Sequence, residues 1–102
     1  MTWYLSGPMS GIKDSNYPEF ARVTAILRSQ GVEVVSPHEI PVNGYEWAAY
    51  VRDDLIGMLT FCQGIIMLPE WRGSKGACLE LYVAEALGMK VAHWDGERMV
   101  AA

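Results

Sequence analysis

Short, continuous apolar runs alternate along this chain with longer stretches in which apolar residues recur every three or four positions. The runs Thr2-Trp3-Tyr4-Leu5, Val32-Glu33-Val34-Val35-Ser36, Gly64-Ile65-Ile66-Met67-Leu68 and Lys90-Val91-Ala92-His93-Trp94 are rich in β-branched and aromatic residues and are bounded by turn formers, which predicts four strands. Phe20, Val23 and Leu27 predict a first helix that Asn16 caps and Gly31 ends. Trp47, Val51, Leu55, Met58 and Cys62 recur at i, i+4, i+8, i+11 and i+15, the single buried stripe of a second helix. A third helix follows the loop from Pro69 to Gly76 and ends at Gly88. Asp95-Gly96 then turns the chain, and residues 97–102 have the composition of a short edge strand that the pattern does not place.

Strands alternating with helices make βαβ units, so the expected class is α/β. The fold is a single Rossmann-like three-layer domain over residues 1–102, with a mainly parallel sheet of four to five strands. In such sheets the ligand crevice lies beyond the carboxyl ends of the strands where their order reverses, here expected between strands one and three. That topology sets the Ser6–Gly11 loop opposite Pro69–Gly76. It also brings the first half of helix two, with Asp54, to the same end. Asp53 falls on the outer face of that helix, whereas Asp54 falls beside the buried stripe.

Charge and composition narrow the partners. A net charge of −4 disfavours a nucleic acid polymer, which needs a basic surface, but not one small phosphorylated ligand. No apolar run is long enough for a membrane span, and Met1 leads directly into a strand, so the expectation is a cytoplasmic protein without a membrane partner. Cys62 and Cys78 lack metal-ligand spacing and read as small core residues; no metal or cofactor is expected. His38, alone in a polar loop, reads as a surface residue. Five tyrosines and four tryptophans on so small a sheet leave large apolar surface, which predicts a homodimer or higher homo-oligomer.

The candidate chemistry gathers in the third strand–loop–helix. Pro69 stops the strand, Gly73 and Gly76 let a ligand approach the backbone, and Ser74 is placed to cap the helix or hold an anion. Glu80 follows among Ala77, Leu79, Leu81, Val83 and Ala84. The residues alone leave it either on a solvated helix face or as a partly desolvated carboxylate with a raised pKa. The first loop has neither the G-x-G-x-x-G spacing nor a G-K-[ST] ending, so it is neither a dinucleotide fingerprint nor a P-loop.

Taken together, Tyr4-Leu5-Ser6-Gly7-Pro8-Met9-Ser10-Gly11, Asn16-Tyr17-Pro18-x-Phe20, Asp54, Leu68-Pro69-x-Trp71 and Ser74-x-Gly76-Ala77-x-x-Glu80 resemble the nucleoside 2-deoxyribosyltransferase superfamily over nearly the whole chain. The similarity is to its short, bacteriophage-type branch and extends to the deoxynucleoside monophosphate N-glycosidases. The resemblance implies that Glu80 is the nucleophile on the anomeric carbon, that Tyr4 orients it, and that Asp54 handles the proton of the departing base. Gly7, Pro8, Met9, Ser10, Asn16, Tyr17, Pro69, Trp71, Ser74 and Gly76 are then the substrate-binding residues, with Met9, Tyr17 and Trp71 sandwiching the base. Cleaving an N-glycosidic bond passes through an oxocarbenium-like state that one carboxylate stabilises while another group protonates the leaving base.

Two positions depart from the pattern. Gln63 stands where many relatives carry an aspartate, and Ser10 stands where the monophosphate hydrolases carry an arginine, with Ser10 or Lys13 left to close a phosphate site. Ser74 matches the phosphate-binding serine of those hydrolases, which favours a nucleotide over a nucleoside. The resembling enzymes associate through helices flanking the site, making helix two the expected contact. The alternatives are a non-catalytic, phage-type module that captures a small nucleotide, and a plain structural protein. Two carboxylates in one pocket argue against an anion binder.

Overall fold

The computed structural model describes residues 1–102 as five strands and three α-helices. In chain order these are β1 (Thr2–Ser6), α1 (Tyr17–Ser29), β2 (Glu33–Val35), α2 (Trp47–Phe61), β3 (Gly64–Met67), α3 (Lys75–Ala86), β4 (Lys90–Trp94) and β5 (Met99–Ala101). The sheet order is β2-β1-β3-β4-β5. The first four strands run parallel, and β5 pairs antiparallel with β4, setting Trp94 opposite Met99. This is the Rossmann-like α/β architecture that the alternation of runs predicts, and the tail the pattern left unplaced is its antiparallel edge. Strand order reverses at β1, between β2 and β3, so the crevice opens there.

Strand alternation sorts the core into two layers. Leu5, Ile66, Leu68, Ala92 and Trp94 face α1, which buries Phe20, Val23 and Leu27 against them. Tyr4, Ile65 and Met67 face the opposite side, under Met58 of α2, Cys62 just after it, and Ala77, Leu81 and Ala84 of α3. Where the central strands meet, glycine is required by space: a Cβ on Gly7 would sit 2.8 Å from the Leu68 Cβ, and one on Gly64 would sit 2.5 Å from the Trp3 ring. No helix is long and apolar enough to cross a membrane.

Three local expectations are corrected. Asn16 occupies the N-cap of α1, but its amide donates to the Pro8 carbonyl at 3.0 Å instead of capping the helix. Asp14, Ser15 and Asn16 all lie in the left-handed region, with φ of 54°, 55° and 61°, so that side chain straps the first loop together. Trp47 opens α2 but is 38% exposed, and the buried stripe is Val51, Asp54, Met58 and Cys62, with the acidic residue inside it. Cys62 is buried as expected, whereas Cys78 is half-buried, its thiol directed at the Trp71 and Arg72 carbonyls.

Candidate active site

A cavity of about 370 Å³ opens at the carboxyl ends of β1 and β3, within the size range of small-molecule sites. Gly7, Met9 and Ser10 of the first loop form one wall, and Ser74, Gly76 and Ala77 at the head of α3 another. The third wall is α2, with Trp47, Tyr50 and Val51, and Tyr45 stands at the mouth almost wholly exposed. Two carboxylates complete the lining, Asp54 from α2 and Glu80 from α3.

Glu80 reaches this position because Ala77, Leu81 and Ala84 turn the same face of α3 onto the sheet. The residue is only 5% exposed, so its carboxylate must find donors inside the protein. Both come from β1. Tyr4 and Ser6 lie two residues apart on one strand, hence on one face; the Tyr4 hydroxyl donates to Oε2 at 2.9 Å and the Ser6 hydroxyl to Oε1 at 2.7 Å. Burial pushes the Glu80 carboxyl up to about 7, and the Ser6 and Tyr4 hydrogen bonds keep it from rising further. Burial, the neighbouring Glu80 and the shared proton drive the Tyr4 hydroxyl well above its ordinary 10.

Asp54 is 3% exposed, and its Oδ1 has no hydrogen-bond partner. Burial first, then the negative charge of Glu80, then that of Asp53, push its carboxyl up to about 8. The two acids titrate as a coupled pair, both raised by burial toward neutral pH. A pair that shares one proton supplies one acid and one anion in the same cavity. No group of three His, Cys, Asp or Glu side chains comes together to hold a metal ion.

Of the residues expected from sequence, Gly7, Met9, Ser10, Asp54, Ser74, Gly76 and Glu80 line this cavity, and Tyr4 lies directly beneath Glu80. The others stand elsewhere. Pro8 lines an adjoining hollow with Ser10, Trp47, Ser74 and Lys75. Asn16 lines a separate hollow with Lys13 and Arg22, which removes Lys13 from the crevice. Tyr17 does not line the cavity: its ring meets His38 edge-on at 6.4 Å, although burial and the nearby Asp54 and Tyr50 raise its hydroxyl above the ordinary value. Pro69 is exposed outside it. Trp71 also leaves the lining, because Glu70 takes a left-handed φ of 69° and the indole then packs on the α2–α3 side of the core, with the Arg72 guanidinium over it. Of the three residues expected to sandwich a base, Met9 lines the cavity and Tyr17 and Trp71 do not; Trp47, Tyr50 and Tyr45 supply its aromatic surface.

Several of these were within reach of the sequence. Ser6 is at strand spacing from Tyr4, and Trp47 and Tyr50 lie seven and four residues before Asp54, on its face of the helix. Lys75 gave no periodic signal; its ammonium lies 4.4 Å from the Trp47 ring centre, the one cation among the residues lining either hollow of the crevice.

The family described as "Domain of unknown function (DUF4406)" matches residues 1–93. No curated protein matches the chain.

Proposed function

The chain belongs to the DUF4406 family across residues 1–93, and from the site those residues build we propose that it cleaves or transfers the N-glycosidic bond of a 2′-deoxynucleoside or its 5′-monophosphate. The observation that carries this reading is a buried carboxylate, Glu80, with each oxygen fixed by a hydroxyl from β1, beside a second buried carboxyl that has an unpartnered oxygen.

Glu80 attacks C1′ as the carboxylate. A C–O bond forms, the C1′–N bond breaks, and its electron pair leaves with the base, which takes the Asp54 proton. In the second step water attacks C1′, gives its proton to the Asp54 carboxylate and returns the electron pair to Glu80; a second base in place of water makes the reaction a transfer. Two displacements at one carbon retain its configuration. Trp47, Tyr50 and Met9 offer the apolar surface for the base.

For a 5′-phosphate, the Ser74 hydroxyl accepts the Ala77 N–H at 3.2 Å, leaving its own proton to donate, and Lys75 supplies the countercharge. No arginine clamp is present, so a modest preference for monophosphates is expected. Ile56, Leu59 and Phe61 of α2 and Tyr82 of α3 expose apolar surface, which supports association of two or more copies.

The test is incubation with a panel of deoxynucleosides and their 5′-monophosphates, followed by chromatography for free base. Glu80→Gln, which keeps volume but removes the nucleophilic charge, is expected to abolish release while leaving ligand affinity within a few-fold. Ligand binding without base release from the wild type would overturn the reading in favour of a nucleotide-capturing module.

A further inference from the structure

We propose that Ser6 is the positioning residue that sets both the orientation and the charge state of Glu80. The inference rests on the glycosidic reading for its chemical meaning, but its geometry stands independently of that reading. Ser6 is completely buried and does not line the cavity, so it cannot touch a bound substrate; whatever it does, it does through Glu80. Its hydroxyl lies 2.7 Å from Oε1, an ordinary distance for a hydroxyl donating to a carboxylate, and makes no other hydrogen bond.

The backbone beneath that hydroxyl is tied to the β3 side. Ser6 is paired with Met67 in the parallel ladder, and its carbonyl accepts the Leu68 N–H at 2.8 Å. Gly7 follows with no room for a Cβ against Leu68, so β1 and the end of β3 lie in close contact at this point. A donor held on a central strand does not reorganise as charge moves, and that is the arrangement that lowers a barrier.

The division of labour on β1 follows. Tyr4 holds Oε2 and Ser6 holds Oε1, so the carboxylate plane is fixed by two donors rather than left to turn about the last side-chain bond. Tyr4 alone would fix one oxygen only. When the C1′–O bond forms, the carboxylate charge is quenched and both hydrogen bonds weaken; when that bond breaks again they recover. Ser6 thus favours release of the sugar from the ester, as well as ionised Glu80 before attack. Only a hydroxyl that bonded the neutral and the ionised carboxyl equally well would leave the titration of Glu80 alone.

The decisive measurement is the titration of the Glu80 side-chain carboxyl by carbon-detected NMR, in protein labelled at glutamate, for wild type, Ser6→Ala, Ser6→Thr and Ser6→Cys. Ser6→Ala is expected to move the midpoint upward by about one pH unit or more, and Ser6→Thr, which keeps the hydroxyl, to return it. Ser6→Cys, nearly isosteric with a weak donor, falls between and serves if the extra methyl of threonine disturbs the core. An unchanged midpoint in folded Ser6→Ala overturns the proposal. In turnover, Ser6→Ala is expected to lose about ten- to a hundredfold in kcat, with KM little changed, and the acidic limb of its pH profile should rise with the NMR midpoint. A wild type that releases no base sinks the glycosidic reading alone, because the NMR midpoints still decide whether Ser6 controls Glu80.

Discussion

Replacing Asp54 with asparagine should make the protein more stable in alkaline solution. The carboxyl is 3% exposed, one oxygen is unpartnered, and Glu80 lies close enough to repel its charge. Because folding raises its affinity for the proton, its contribution to stability is complete below the ordinary value of 3.8 and is lost progressively as pH rises through about 8. At roughly 1.4 kcal/mol per tenfold change in proton affinity, the whole interval is on the order of 5 kcal/mol. The cavity beside Asp54 admits water and relaxes part of that penalty, so about 2 kcal/mol is the expected gain for Asp54→Asn at pH 9, or roughly 8–16 °C in Tm for a domain of this size. The variant keeps Glu80, whose rise from 4.5 to about 7 continues to cost stability over that lower range. Its Tm should therefore fall between pH 5 and 7 and then level off, while the wild type goes on falling to about pH 8. Thermal unfolding monitored by circular dichroism from pH 5 to 9 measures both curves. If they run parallel across the whole range, Asp54 does not hold a proton in the folded protein and its assignment as the acid fails.

Three further expectations address the ligand and the assembly. Ser74→Asp places a negative charge beside the phosphate position, and should raise KM for monophosphates selectively while leaving nucleosides unaffected; equal KM values before and after would reduce Ser74 to a helix cap. Trp47→Ala removes a stacking surface and the seat of Lys75, and should raise KM by about ten- to a hundredfold with kcat little changed. Light scattering at micromolar concentration should return at least a dimeric mass, and Phe61→Glu should return a monomer; a monomeric wild type would refute the oligomer.

The fold was largely readable because β3 is an unbroken apolar run, β1, β2 and β4 are short and rich in β-branched or aromatic residues, and Gly31, Pro69 and Gly88 punctuate the elements between them. Glu80 was only half readable: the residues left its face open, and the resemblance singled it out before the fold showed it buried beside Ala77, Leu81 and Ala84. Trp71 shows where such reading ends. The resemblance sets it against the base, but after the left-handed turn at Glu70 it packs half-buried against the core, and glutamate is not a residue that announces such a turn. Asn16 failed in the same way, since nothing local distinguishes a capping amide from one that reaches eight residues back to Pro8. Trp47 was assigned to the core because an aromatic residue at stripe spacing scores as buried, whether the space it faces is filled or open.

The left-handed stretch Asp14–Asn16 has a bearing on how this protein would respond to directed evolution. Three successive residues with side chains in that region cost about 1–2 kcal/mol each, a reserve that glycine would release. Ser15, in the middle of the stretch, lines the cavity, so the tension is borne by a wall of the site and is held by the Asn16–Pro8 strap. A screen for heat resistance alone should therefore collect glycine at positions 14 and 15 early, and the same clones should show a wall that no longer keeps one shape. Selection for thermostability and selection for turnover would then draw this loop toward opposite sequences.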